Sequence, residues 1–287
     1  MKPSKAPRRA FTDRLALAGG LEVSPVCLGW VGKPGVVSAA YDAGINFFFL
    51  SADMHWPLYQ AARTGLRDLL RRRGVRDRIV VGAVSYVGQP EFCHVPFREV
   101  IDAVPGLGRV DLTIVGGVYA EDFLVRLEQY RKHRLPSGGP HRLPAVRATG
   151  ATFHDRGTAL LAINHRMVDV AFLRYNADHP GAEAEVFPHL GRPPRPLLFN
   201  FNSTRGYVGD ARWKELALSR DHWRPRLTDH YRFALRQPHV DGLLVGLDRP
   251  QELDALGVAL AAGGLSEEEA VYLRDLADLA AGRREPA

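Results

Sequence analysis

Eight short runs rich in β-branched and apolar residues recur along this chain, each followed by a longer stretch with helical spacing. That alternation constrains the fold more than any single motif. The strand candidates are Pro25–Leu28, Phe47–Leu50, Ile79–Val84, Asp111–Val115, Ala145–Ala148, Val168–Arg174, Leu197–Phe201 and Gly242–Val245. Between them lie helical patterns at Val37–Ala43, Leu58–Arg73, Phe97–Val104, Ala120–Lys132, Gly157–Asn164, Ala182–Leu190 and Asp229–Arg236. Several strands are continuously apolar, as expected where helices cover one face and a core fills the other. Eight such units over about 250 residues is the arithmetic of an α/β (β/α)8 TIM barrel. A doubly wound sheet would usually open on a glycine-rich turn, and no G-x-G-x-x-G follows an early strand.

Both ends carry local signals. Leu15–Ala18 and Leu21–Val23 flank Gly19-Gly20, which predicts a short N-terminal β-hairpin before the first barrel strand. Gly263-Gly264 stops one helix, and Ser266 with Glu269 forms a capping box that opens an extra C-terminal helix ending near Gly282. Leu135–Pro144, rich in proline and glycine, is the expected long surface connection. No repeat or linker divides the chain, so residues 1–287 read as one barrel domain, with 1–12 a basic flexible tail.

Composition excludes several function classes. Only Cys27 and Cys93 are present, so neither a disulfide framework nor a zinc knuckle is available. There is no apolar run of about 18 residues and no apolar segment after the basic start. The chain reads as cytoplasmic, with no membrane partner. The formal charge of +6 comes mostly from arginine, and its densest stretch, Arg67 to Arg78, alternates with Asp68, Asp77 and leucines. That is a solvated helix face, not a nucleic-acid stripe, which would call for interleaved aromatic residues. No H-x-H or H-E-x-x-H spacing occurs, so no metal is expected.

A barrel of this kind gathers its functional groups at the carboxyl ends of the strands. Those positions carry Ser51, Asp53, His55 and Trp56 after strand 2, and Ser85 and Tyr86 after strand 3, with Cys93 and His94 further on. Gly116, Gly117 and Tyr119 follow strand 4, and Thr152 and His154 follow strand 5. Arg174, Tyr175, Asn176, Asp178 and His179 come at strand 6, and Asn200, Asn202, Ser203, Thr204 and Arg205 at strand 7. Burying so many polar groups is costly unless they serve a site. Arg174 and Arg205 suggest an anionic small-molecule substrate, since guanidinium groups pair with carboxylates and phosphates in a two-pronged fork.

The order of these segments resembles the aldo-keto reductase superfamily over roughly residues 15 to 276. The resemblance is carried by Gly20-Leu21-Glu22-Val23-Ser24-Pro25 with Leu28-Gly29-Trp30, and by Ala40-Tyr41-Asp42-Ala43-Gly44-Ile45-Asn46-Phe47-Phe48. Further along, Val110-Asp111-Leu112, Arg174-Tyr175-Asn176, Gly181-Ala182-Glu183, Tyr231-Arg232-Phe233-Ala234-Leu235 and Pro238-His239-Val240-Asp241 carry it too. The resemblance implies a (β/α)8 barrel and carbonyl reduction by NADP or NAD, with a tetrad of aspartate, tyrosine, lysine and histidine. Matched on Leu50-Ser51-Ala52-Asp53-Met54-His55, leucine stands at the aspartate position and His55 at the tyrosine position. The lysine position falls at Val84 or Ser85, and the histidine position at Gly116 or Gly117. The tetrad is therefore degenerate. An imidazole, with an ordinary pKa of about 6.5, could still deliver a proton near neutrality.

On the cofactor side, Phe201-Asn202-Ser203-Thr204-Arg205, with Asn200 just before it, resembles the loop that wraps a dinucleotide pyrophosphate. Leu247-Asp248-Arg249-Pro250-Gln251-Glu252 resembles the loop that meets the adenosine phosphate, with Arg249 the available cation and Glu252 in the place of an arginine. The resulting expectation is an atypical reductase of a small carbonyl compound. His55, Asp53, Tyr86 and His154 would be its catalytic groups, and Trp56, Tyr119, Arg174, Asn176 and His179 its substrate contacts. Two alternatives remain open. One is a redox-silent lyase, isomerase, cyclase or hydrolase using the same mouth. The other is a non-catalytic binding protein whose mouth is plugged by Trp56, Phe92 and Tyr119.

Overall fold

Gly19 and Gly20 take φ angles of 68° and 67°, a left-handed backbone that costs little to a residue without a side chain. They turn β1 (Leu15–Leu17) back onto β2 (Leu21–Val23) as an antiparallel pair. Arg147 pins this turn by donating from Nε to Gly19 O at 2.9 Å. The computed structural model describes residues 8–118, 120–132, 143, 146–191, 194–219 and 221–283.

Eight parallel strands follow and close on themselves in chain order. They are β3 (Val26–Val31), β4 (Phe47–Ser51), β5 (Val80–Ser85), β6 (Leu112–Val115), β7 (Ala148–Phe153), β8 (Val170–Arg174), β9 (Leu197–Phe201) and β10 (Gly242–Leu247). The connecting helices are α1 (Gly35–Asp42), α2 (Gln60–Leu70), α3 (Val95–Ala103), α4 (Phe123–Lys132), α5 (Arg156–Asn164), α6 (Ala182–Glu185), α7 (Asp210–Glu215) and α8 (Leu227–Leu235). After β10 come α9 (Glu252–Ala262) and α10 (Glu267–Ala280). Gly263 ends α9 at φ 76°, and Ser266 with Glu269 forms the capping box of α10, both as expected.

The period of two sorts each strand into an inner and an outer face. Phe47, Phe49, Phe172 and Phe199 point inward and fill the barrel, with ring centroids 5.4 to 6.3 Å apart. Gly242 makes room for them, since a Cβ there would lie 2.5 Å from the Phe199 ring. Leu17, Leu21 and Val23 of the hairpin join the same cluster. The hairpin therefore stoppers the amino-terminal end of the barrel and leaves the carboxyl-terminal end as the mouth.

Four expectations are corrected. The fifth barrel strand runs over Ala148–Phe153, later than Ala145–Ala148. Its Thr-Gly-Ala-Thr sequence has little apolar signal, and pairing of Leu112 with Ala148 and Val115 with Ala151 sets its register. The helix expected over Leu58–Arg73 is shorter, because Trp56–Tyr59 form a 3-10 turn ahead of α2. The helix expected over Ala182–Leu190 breaks at Val186 into α6 and a 3-10 turn containing Pro188, whose nitrogen cannot donate. Finally, residues 8–12 of the expected tail lie against the barrel. Arg9 N–H donates to Leu260 O at 3.2 Å, and Phe11 packs on the outer core. Residues 1–7 and most of 135–144 lie outside the described residues. Among the described residues no helix is long and apolar enough to cross a membrane.

Candidate functional site

The mouth is an open cavity of about 550 Å³. Phe49, Thr152 and Leu244 line its depth, Gly29, Trp30 and Gly246 one wall, and His55, Tyr59, Tyr86, His154, Phe201 and Tyr231 the remainder. A second cavity, of about 530 Å³, lies at the hairpin end among Arg14, Asp77, Arg78, Arg109 and Arg147. There Arg109 pairs with Asp77 and Asp111, and Arg147 holds Gly19, so its charges are engaged structurally. The mouth is the better candidate.

Asp53 clasps the loop after β4 to the end of β5. Its Oδ2 accepts from Ser85 Oγ and from Tyr86 N–H, both at 2.7 Å, and its Oδ1 accepts from Met54 N–H at 2.6 Å. The clasp sets Tyr86, whose ring lies over Gly116 and Gly117. A Cβ at Gly116 would come within 2.8 Å of that ring. The two glycines thus mark where an aromatic ring crosses the strand end. From below, Arg126 of α4 donates to Gly116 O at 2.6 Å and Gly117 O at 3.2 Å, and the Tyr130 hydroxyl donates to Ser85 O at 3.1 Å. This rim is rigidly built. Asp53→Ala leaves Ser85 Oγ and Tyr86 N–H without their acceptor, and is expected to cost about 1–3 kcal/mol. Thermal melts of the two proteins, with the tyrosine near-ultraviolet dichroism as a local reporter, measure that cost; an unchanged melting curve would refute the clasp.

His55 is exposed on the cavity side, edge-on to Tyr86 at 5.4 Å between ring centroids. Its backbone N–H donates to Ser51 Oγ at 3.3 Å. Trp56, expected at the substrate, instead lies beneath Arg63, whose guanidinium stacks 3.5 Å from the indole centroid and donates to Trp56 O. The indole therefore faces α2 and does not line the cavity. Phe92 is 59% exposed, and Tyr119 lies outside the described residues. The open mouth counts against a plugged barrel.

On the opposite rim, Asn176 is fully buried and bridges two loops: its Nδ2 donates to Asn202 O at 2.9 Å and its Oδ1 accepts from His179 N–H at 2.8 Å. Asn200 donates to Tyr175 O at 2.5 Å and accepts from Ser203 Oγ. Both side chains are spent on shaping the β9 turn, in which Asn202 adopts φ 56°. Asn202, Ser203 and Thr204 all reach the cavity wall. Arg205 points outward and pairs with Asp178 at 3.2 Å, as does Arg283 at 2.6 Å. Arg249 is also exposed, with Asp248 and Glu252 at 3.9 and 3.8 Å. His154 and Arg174 stand on the rim between these groups. Burial, then Arg174 and His179, pushes the His154 imidazole below its ordinary value.

Tyr59 was missed from the sequence. It ends the 3-10 turn after β4 and turns into the mouth, where burial, then Tyr86 and Cys27, push its hydroxyl well up. The available signal was Pro57, which favours a tight first turn and shifts the helix start beyond Tyr59. Among the described residues no group of three His, Cys, Asp or Glu side chains is placed to hold a metal ion.

No protein-family model matches the chain, and no curated protein does. Among solved structures it is similar to the aldo-keto reductase AKR11C1 from Bacillus halodurans in its holo form, at 15% identity with a TM-score of 0.65. That match covers 95% of this chain and 96% of the other. It is also similar to MGS-M4, an aldo-keto reductase enzyme from a Medee basin deep-sea metagenome library, at 13% identity and a TM-score of 0.59. There the match covers 92% of this chain and 94% of the other. Likeness at this level shows the fold, a (β/α)8 barrel like those of these two aldo-keto reductases.

Proposed function

We propose that this aldo-keto reductase barrel is an oxidoreductase that reduces the carbonyl group of a small molecule held in its mouth, with His55 giving the proton. The observation that carries this reading is the convergence of His55, Tyr59 and Tyr86 on one open cavity at the strand ends. Burial raises the Tyr86 hydroxyl, with Asp53 adding to it, and burial raises Tyr59 likewise. No lysine or arginine is among the described residues lining the cavity to reverse this. A phenol that keeps its proton so firmly can donate a hydrogen bond to a carbonyl oxygen but releases the proton reluctantly. An imidazolium releases it readily near neutrality. The roles divide accordingly: Tyr59 and Tyr86 orient and polarise the carbonyl, His55 passes a proton to its oxygen, and Asp53 positions Tyr86.

A nicotinamide dinucleotide, when bound, would supply the hydride. The residues assigned to it by resemblance fit one form better than the other. Asn202, Ser203 and Thr204 make a preformed turn on the cavity wall, braced by Asn176 and Asn200. At the β10 loop, Arg249 stands between two carboxylates, and Glu252 also accepts from Asp248 N–H at 2.9 Å. A 2′-phosphate there would meet net negative charge, whereas a ribose hydroxyl would meet an acceptor. The donor set suits NAD and not NADP. The holo form of the Bacillus halodurans protein supports the idea of a cofactor-binding barrel.

Fluorescence titration of the purified chain with NADH and with NADPH tests the reading. NADH is expected to bind, and more tightly than NADPH; binding of neither overturns the reductase. In His55→Gln, turnover of a responsive aldehyde or ketone should fall about 100-fold, while NADH binding stays unchanged. A second reading, acid–base chemistry without redox, is favoured by the absence of any lysine among the described residues of the cavity lining. It would take over if carbonyl compounds were consumed with no dinucleotide bound.

A further inference from the structure

The inner faces of β7, β8 and β9 end in side chains that the reduction does not use. Val170 and Phe172 of β8 point into the barrel, so Arg174, two residues on, points the same way one layer higher. The register sets Arg174 opposite Phe201 and Leu173 opposite Phe153, which brings His154 up beside Arg174 on the other flank. His154 meets Phe201 edge-on at 5.2 Å. His179 completes the corner, tethered through its N–H to Asn176 and lying 3.2 Å from Asp178.

Arg174 is half-buried, and among the described residues no carboxylate or carbonyl takes a hydrogen bond from it. The neighbouring cations differ: Arg205 and Arg283 are both tied to Asp178. The Arg174 guanidinium, held by no protein acceptor among the described residues and open to solvent, is therefore available to an anion. We propose that the corner formed by Arg174, His154 and His179, which adjoins the mouth through His154, is an anion subsite that receives the carboxylate or phosphate group of the carbonyl compound held there. This rests on the mouth being the substrate cavity, as above, and not on which cofactor is used. Arg174 supplies the two-pronged contact, and the imidazoles supply further N–H donors.

The subsite carries a proton linkage. Burial, and after it Arg174, depresses both imidazoles. Facing them are Arg174 from β8, Asp178 from the following loop, Arg205 from the turn after β9 and Arg283 from the chain end. Asp178 already offsets Arg205 and Arg283, so Arg174 is the charge that a bound anion would neutralise. An anion on Arg174 removes that repulsion and draws a proton onto an imidazole. Binding is therefore tighter at low pH and weakens as pH rises through the imidazole range.

Calorimetric titration of the full chain with inorganic phosphate, and separately with pyruvate, at pH 6 and pH 8 and without dinucleotide, tests this. At least one anion is expected to bind, more tightly at pH 6, with proton uptake seen as a dependence of the heat on buffer ionisation. The tighter of the two assigns the class, phosphate or carboxylate. Arg174→Gln should weaken binding by about tenfold or more. His154→Gln, which keeps the guanidinium, should weaken it less and flatten the pH dependence; melting curves confirm that both variants fold. Binding of neither anion, or binding indifferent to Arg174→Gln in a folded variant, overturns the subsite. Anion binding without NADH binding would remove the reductase reading and leave the subsite standing, and the reverse would do the opposite.

Discussion

Phe172→Ala is expected to destabilise the protein by about 3–5 kcal/mol, the cost of deleting a buried aromatic ring that its surroundings cannot replace. Phe172 has no exposed surface and meets Phe47 at 6.3 Å, Phe49 at 5.4 Å and Phe199 at 5.8 Å between ring centroids. With Phe172 the four rings come from three different strands, so collapse around the void would require the barrel itself to narrow, which its hydrogen-bonded ladder resists. Phe49 lines the cavity as well as touching Phe172, so the same void undermines the depth of the mouth. The urea midpoint should drop with the slope unchanged. A loss under about 1 kcal/mol would mean that the interior is not filled by this cluster.

The second large effect depends on acid. His230 of α8 is 1% exposed, its Nδ1 has no hydrogen-bond partner among the described residues, and its ring meets Tyr207 edge-on at 5.7 Å. Burial holds its pKa down at about 4, against the opposing pull of Asp229. In the unfolded chain the imidazole regains its ordinary value of 6.5. Between those two values the unfolded state binds a proton that the folded state refuses. The stability contributed by neutral His230 is thus complete above pH 6.5 and is lost progressively down to about pH 4. The window corresponds to roughly 3 kcal/mol. Denaturation of the protein and of His230→Phe at pH 7 and at pH 4 isolates this contribution, because other acid effects are common to both. The variant should lose less stability by that margin, and equal losses would show that His230 is not buried as a neutral group.

The barrel was legible because its determinants are local. Continuous apolar runs such as Phe47–Leu50 and Leu197–Phe201 announce strands covered on both faces, and they became β4 and β9 almost without revision. The hairpin and the α10 capping box were equally plain, since a Gly-Gly turn and a Ser–Glu pair act over three or four residues. The fifth barrel strand was misplaced where that local signal weakens: its Thr-Gly-rich sequence becomes a strand only through its pairing with β6 and β8.

The mouth was legible as a set of positions and not as an arrangement. Strand periodicity settles where each strand stops, and so places Asp53, His55, Trp56, Arg174 and Arg205 at or just beyond strand ends. Which of them face the cavity follows from contacts between loops that are distant in the chain. Asp53 was drawn to Ser85 and Tyr86, Arg205 to Asp178, and Trp56 beneath Arg63, while Tyr59 turned inward unannounced. A hydrogen bond or ion pair between loops depends on separations set by closure of the whole ring, and those partners lie up to 33 residues apart. No periodicity in the chain encodes such a distance.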